Sequence, residues 1–232
     1  MTDVRSGPGR AATGDSPGDS PGGARILVID HPLAAHRLSG LRQATTDSPT
    51  FRLLVAELST FVAYEALRDL ATVDRQVDTP VASGVWCRRV EETVLLVPVL
   101  RAGLGMVPAI QETLPATDVA HVGLRRDEST LLADVYLNRL PGDLTGRRVV
   151  VCDPMLATGG SLAQVCTMVK ERQASSVSVL SLIASVPGLA FFRSVHPDVD
   201  VACVAVDPAL DERGFIIPGL GDAGDRLFGP PD

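Results

Sequence analysis

The sequence predicts an α/β fold with a mostly parallel central sheet flanked by helices. Three observations carry this. Short runs of Val, Leu and Ile alternate with stretches of helical apolar spacing between Ile26 and Val206. The run from Val94 to Leu100 is apolar throughout, as a strand buried on both faces requires. Hydrophobic residues make up 45% of the chain and aromatics only 4%, so the core is aliphatic rather than ring-based.

Taken in order, residues 1–24 are rich in Gly, Pro, Ser and Asp and have no apolar periodicity. Such a segment cannot bury enough surface to offset its ordering entropy, so it is expected to be a disordered tail, with one domain over residues 25–232. Ile26 to Ile29 is a short apolar run, broken at His31-Pro32-Leu33. Phe51 to Leu70 predicts a long helix, because Leu54, Val55, Leu58, Val62, Tyr64 and Leu67 fall near helical spacing. Val73 to Val90 alternates and is β-branched, which predicts an extended, hairpin-like arm. After the Val94 strand come an expected helix at Gly103 to Leu114 and strands at Val119 to Leu124 and Val149 to Cys152. Ser161 to Gln173 reads as a helix, with Leu162, Val165, Cys166 and Val169 on one face. Val177 to Ala184 (strand), Pro187 to Val195 (helix) and Val201 to Val206 (strand) complete the alternation. Sheets of this kind bind ligands outside the carboxyl ends of their strands.

Charge and cysteine usage exclude several classes. The formal net charge is −7, which argues against nucleic acid as a partner, since neutralising many phosphates needs a basic surface. Cys87, Cys152, Cys166 and Cys203 form no CxxC pair, so buried thiols, a reducing compartment and no protein-built metal site are expected. No apolar run reaches the ~18 residues of a membrane span, and the opening residues lack the apolar core of a secretory leader. No membrane partner and a cytoplasmic location are therefore expected.

The most informative stretch is Val149-Val150-Val151-Cys152-Asp153-Pro154-Met155-Leu156-Ala157-Thr158-Gly159-Gly160-Ser161. An apolar strand ends in a carboxylate, and a turn with two glycines and two hydroxyls then opens a helix. Unpaired N–H groups and the helix dipole make that helix start a phosphate cradle. Gly159 and Gly160 permit close backbone approach, and Thr158 and Ser161 supply hydroxyls. A sugar attached to such a phosphate can lie over Asp153, whose carboxylate accepts from two adjacent hydroxyls. No Lys follows the glycines, so this is not a Walker loop. The plain alternative is a strand–helix turn capped by Thr or Ser.

Three further stretches stand out. VPVLRAGLGM ends the Val94 strand with Arg101 and two glycines; Arg101 either faces an anion or snorkels from the strand end to water. Arg125 and Arg126 follow another strand and mark an anion site or a solvated loop, and Thr130 to Leu140 is expected to form a flap. Between Gly214 and Gly229, five glycines and a proline argue against a regular helix and for a fixed path of exposed backbone donors and acceptors; the alternative is a loose terminus.

DPMLATGGS at Asp153 to Ser161, VPVLRAGLGM, and the segment GFIIPGLGDAGDRLFG resemble the uracil phosphoribosyltransferases, within the type I phosphoribosyltransferase superfamily. The similarity runs from about Arg25 to Gly229. It implies the type I fold with a β-arm and a C-terminal base-binding hood. It implies formation of UMP and pyrophosphate from uracil and phosphoribosyl pyrophosphate (PRPP), with Mg²⁺ held mainly by the substrate diphosphate. By the same resemblance Arg101, Arg126 and Asp222 join Asp153, Pro154, Met155, Leu156, Ala157, Thr158, Gly159, Gly160 and Ser161 around PRPP. Ile216, Gly221, Asp222 and Ala223 match the uracil-binding positions, and Asp153, Arg101 and Asp222 are the catalytic candidates. Arg125 and Phe215 stand where the family usually has tyrosine. A GTP effector and a homo-oligomer, dimer or tetramer, are further expectations from the family. Two other readings are compatible with the sequence: a catalytically weak homologue that senses nucleotides, and a phosphoribosyltransferase for another base.

Overall fold

The computed structural model describes residues 24–126 and 133–230. Residues 1–23, the Arg126 and Ala133 side chains, residues 127–132, where the expected flap begins, and residues 231–232 lie outside the described residues. Ala24, assigned from composition to the tail, donates its N–H to Pro197 O (3.1 Å).

The chain opens with β1 (Ile26–Val28) and α1 (Pro32–Arg42). His31-Pro32-Leu33, where the apolar run breaks, is also a helix start that the sequence reading did not identify. Pro32 takes the first helical position, where its missing N–H costs nothing, and His31 Nδ1 caps the Leu33 N–H (3.1 Å). Next come α2 (Ser48–Ala66) and the antiparallel arm β2 (Thr72–Val77) with β3 (Val85–Val90). In α2, Phe51, Val55, Leu58 and Val62 are fully buried, each worth about 1.5–3 kcal/mol of apolar burial. Tyr64, counted on that face from its spacing, is instead 66% exposed.

Then follow β4 (Val94–Leu100), a 3₁₀ turn (Ala102–Met106), α3 (Val107–Thr113), β5 (Thr117–Val119), β6 (Val122–Arg126) and β7 (Ala133–Asn138). The strand expected from Val119 to Leu124 is thus two strands, both beside β4. The remainder runs β8 (Arg148–Cys152), β9 (Met155–Leu156), α4 (Gly160–Lys170), β10 (Ser176–Leu180), β11 (Ile183–Ser185), α5 (Val186–Val195), β12 (Asp200–Cys203), β13 (Ala205–Asp207), β14 (Ala209–Leu210), β15 (Ile216–Ile217) and α6 (Ala223–Phe228).

The main sheet has the order β1-β12-β10-β8-β4-β6-β7, with β5 also on β4. Every pairing is parallel except β6 with β7. Alternate residues of the central strands feed two cores. Val94, Leu96, Val150 and Cys152 pack with α1, α2, α3 and α6, while Leu95, Val97, Val149 and Val151 pack with α4 and α5. That two-sided burial is why these strands read as continuous apolar runs.

Three strands crease. β8, β10 and β12 stop at Cys152, Leu180 and Cys203, and the chain resumes in β9, β11 and β13, a second parallel sheet of order β13-β11-β9. The single strands expected over Val177 to Ala184 and Val201 to Val206 are each divided by this crease. Backbone bonds bridge it: Asp153 N to Leu180 O (3.1 Å), and Leu182 N and Ile183 N to Pro154 O (2.9 and 3.1 Å). Three of the four cysteines are buried, and no helix among the described residues is long and apolar enough to cross a membrane.

Candidate active site

Asp153 sits in the crease, one residue past β8. Its Oδ1 accepts from Met155 N (3.2 Å), which closes the turn into β9. Its surface is half-buried. Burial pushes its carboxyl up to about 7, against the pull of the Met155 hydrogen bond, and the nearby Asp222 charge adds to the rise. Asp153, Met155, Leu156, Ala157, Thr158, Gly159 and Ser161 line a concavity of about 80 Å³.

The loop is held by close backbone approach. Gly159 adopts φ +82°, the left-handed region, and caps α4 without any side-chain cap bond. The N-cap position is thus a glycine rather than the Thr or Ser considered from sequence, and the first turn of α4 opens beside the concavity that Thr158, Gly159 and Ser161 line. A Cβ on Gly159 would lie 2.6 Å from Gly188 O, and one on Gly188 would lie 1.9 Å from Ala157 O. Ser185, at the end of β11, locks the contact: its Oγ donates to Ala157 O (2.6 Å) and accepts from Gly188 N (2.8 Å). Neither Ser185 nor Gly188 was singled out from sequence. Ser185 followed by Val186-Pro187 is a legible helix cap, but its reach back to Ala157 is a property of the fold.

On the neighbouring strand, Gly103 lets the 3₁₀ turn lie against the end of β8, since a Cβ there would meet Cys152 O at 2.2 Å. The turn carries Arg101 to the site across a cis Leu100–Arg101 peptide. Arg101 Nη2 pairs with Asp225 Oδ1 (2.8 Å), and its Nη1 reaches Gly229 O (3.4 Å). Asp225 was not among the sequence candidates. A Cβ on Gly224 would lie 3.2 Å from Asp222 Oδ1 and 3.6 Å from Arg101 Nη2, so that glycine lies between the two charged groups. Asp153, Arg101 and Asp222 therefore converge. Arg125 extends from β6 toward Asp134, at 3.8 Å.

The C-terminal segment corrects one expectation. It contains a regular helix, the six-residue α6, despite its glycines. Asp222 makes this possible by capping: Oδ1 accepts from Asp225 N (3.0 Å). Leu227 packs onto Gly105 of the 3₁₀ turn, and Gly229, at φ +88°, ends the helix. Before α6, Ile216 pairs with Leu210, Ile217–Pro218 is cis, and Gly219 and Gly221 have positive φ. Ile216 and Ala223 are buried, whereas Gly221 and Asp222 are exposed. Among the described residues no group of three or more His, Cys, Asp or Glu side chains could cage a metal ion. The donor set at the cleft is oxygen only, which suits a hard cation that keeps most of its ligands from water and a bound anion.

A profile of the uracil phosphoribosyltransferase family matches residues 28–230. A protein of that name from Kineococcus radiotolerans is 52% identical over 208 residues, covering 88% of this chain and 99% of the relative. One from Beutenbergia cavernae is 49% identical over 208 residues, with the same coverage. A solved structure of an Aquifex aeolicus protein superposes with a TM-score of 0.84 at 34% identity, covering 88% of this chain and 98% of that one.

Proposed function

The chain belongs to the uracil phosphoribosyltransferase family, and we propose that its crease, glycine loop and C-terminal hood form the site at which it joins uracil to PRPP, yielding UMP and pyrophosphate. The enzyme is a glycosyltransferase. The observation that carries the site assignment is the convergence of Asp153, the glycine-bordered α4 start, Arg101 and Asp222 at the carboxyl ends of β8 and β4.

In this reading the residues from Ala157 to Ser161 hold the 5′-phosphate on the N–H groups of α4, with the hydroxyls of Thr158 and Ser161 beside it. Asp153 accepts from the ribose hydroxyls, and Pro154, Met155 and Leu156 form the wall beneath. Arg101 leaves Asp225 to meet the diphosphate, and Arg126 meets it from the β6 side. Uracil lies against Ile216 and Gly221 to Ala223, where backbone C=O and N–H groups read its two carbonyls and N3–H. Cytosine carries the opposite pattern at N3 and C4, and unpaired buried groups make such mismatches costly. Bond breaking at C1 needs little proton transfer; fixed geometry and charge at the leaving diphosphate carry the rate. Mg²⁺, when bound, supplies positive charge to that diphosphate, and Asp222, open to solvent, is the carboxylate that would hold its water shell.

The test is direct: the purified chain with uracil, PRPP and Mg²⁺ is expected to form UMP, and to form no product with cytosine or with purine bases. Product with another base in place of uracil would overturn the base assignment.

A further inference from the structure

We propose that the carboxyl end of α1, through Arg42 and its partner Asp207, is a positioning platform that sets the uracil-reading backbone without touching the base. This rests on Ile216 and Gly221 to Ala223 being the base-contacting segments. Those segments are separated by Pro218, Gly219 and Leu220, and it is this connector that the platform grips.

The grip falls on main-chain atoms. Gly219 N donates to Asp207 Oδ2 (3.0 Å), and Gly219 O accepts from Arg42 Nη1 (2.8 Å). Arg42 and Asp207 are joined by a two-pronged pair, Nη1 to Oδ2 and Nη2 to Oδ1, both 2.7 Å. Their side chains are only 23% and 6% exposed. One residue is thus clamped on both its N–H and its C=O by a largely buried ion pair. Gly219 is at φ +61°, and a Cβ there would meet Ile216 O at 2.0 Å, so the connector folds back tightly on Ile216. The next residue is held from the same platform. Arg226 donates to Leu220 O (2.7 Å), to Gln43 O (2.7 Å) and to Leu41 O, and lies 4.2 Å from the centre of the buried Phe51 ring. Three consecutive residues at the end of α1, Leu41, Arg42 and Gln43, therefore anchor two consecutive residues of the connector.

A glycine-rich segment loses more conformational freedom on ordering than any other, and a site read by backbone atoms tolerates errors of only about 0.5 Å. An external clamp supplies what the segment lacks. A Lys at position 42 would keep the charge but not the planar fork that spans both Asp207 oxygens and Gly219 O.

The test compares wild type with the paired variant Arg42→Met/Asp207→Asn. Removing both charges together leaves no buried ion unpaired. The KM for uracil is expected to rise on the order of 10–100-fold, while the KM for PRPP changes little. The preference for uracil over cytosine falls with it. Arg42→Lys should lie between the two. Arg226→Gln, which spares the Arg42–Asp207 fork, should give the same split and serves if the paired variant does not fold. Equal shifts in both KM values, or a lowered melting temperature with an unchanged KM for uracil, would overturn the platform. Failure of the wild-type chain to make UMP would instead overturn the reading of function on which it rests.

Discussion

Replacing Gly159 with alanine puts the phosphate cradle to its most demanding trial. Two costs can be worked from the structure. The residue sits at φ +82°, where a side chain costs about 1–2 kcal/mol. The new methyl would also lie 2.6 Å from Gly188 O, a backbone atom that cannot rotate away, and overpacking of that kind typically costs about 1–3 kcal/mol. The sum is roughly 2–5 kcal/mol. If the loop holds its place, a chain of this size loses roughly 4–20 °C in Tm. If the loop yields, the loss appears as weaker PRPP binding, about tenfold for each 1.4 kcal/mol. Thermal melts with and without PRPP, together with the KM for PRPP, separate the two. Gly160→Ala is the internal control. Its nearest Cβ neighbour would be Thr158 Oγ1 at 3.9 Å, and its φ is not left-handed. That variant should melt like wild type and lose PRPP affinity alone, because the methyl meets the seated phosphate. Wild-type melting and an unchanged KM for PRPP in Gly159→Ala would refute the cradle.

Two further predictions concern the same half of the site. Asp153, held near 7 by burial, is neutral below that pH and charged above it. The kcat/KM for PRPP should therefore climb as pH rises through 7 and then level, and Asp153→Asn should flatten that limb; a wild-type pH profile in the Asn variant would remove Asp153 from ribose binding. The same value lies above the ordinary carboxyl value of about 4, so the folded ligand-free chain holds an extra proton. Its stability relative to the Asn variant should fall between about pH 4 and 7, which melts across that window will check. Ser185→Ala removes both a helix cap and the partner of Ala157 O, about 1–2 kcal/mol together. The KM for PRPP should rise more than that for uracil, and Ser185→Thr should restore it; no preference between the two substrates would reduce Ser185 to a cap.

Much of this architecture is written locally. Val94 to Leu100 announces a strand covered on both faces because Val94 and Leu96 enter one core while Leu95, Val97 and Val99 enter the other. The Asp153 loop is legible because a carboxylate, two glycines and a helix start must be contiguous to work. Other features are not local. The α1 helix escaped because Pro32 reads as a break unless the helix behind it is recognised, and its buried stripe is only Ala34, Leu38 and Leu41. The crease escaped because a strand that changes sheets keeps the same apolar composition on both sides of the change. α6 escaped because propensity counts its glycines and overlooks the Asp222 cap. The platform escaped most completely: Arg42 and Asp207 are 165 residues apart and meet only in the folded chain.

The crease has a geometric corollary. Each strand of the small sheet ends at a holding point: β9 runs into the phosphate loop, β11 ends at Ser185, and β13 ends at Asp207, which grips the connector before α6. Neighbouring strands lie about 4.8 Å apart, so β9 and β13, with β11 between them, are spaced by roughly 10 Å. In the proposed reading, the interval between sugar-phosphate and nucleobase is a ruler made of backbone, indifferent to which side chains decorate it. Point changes in the hood can retune which edge of a pyrimidine is read. Admitting a two-ring base in the same register requires rebuilding the ruler's far end.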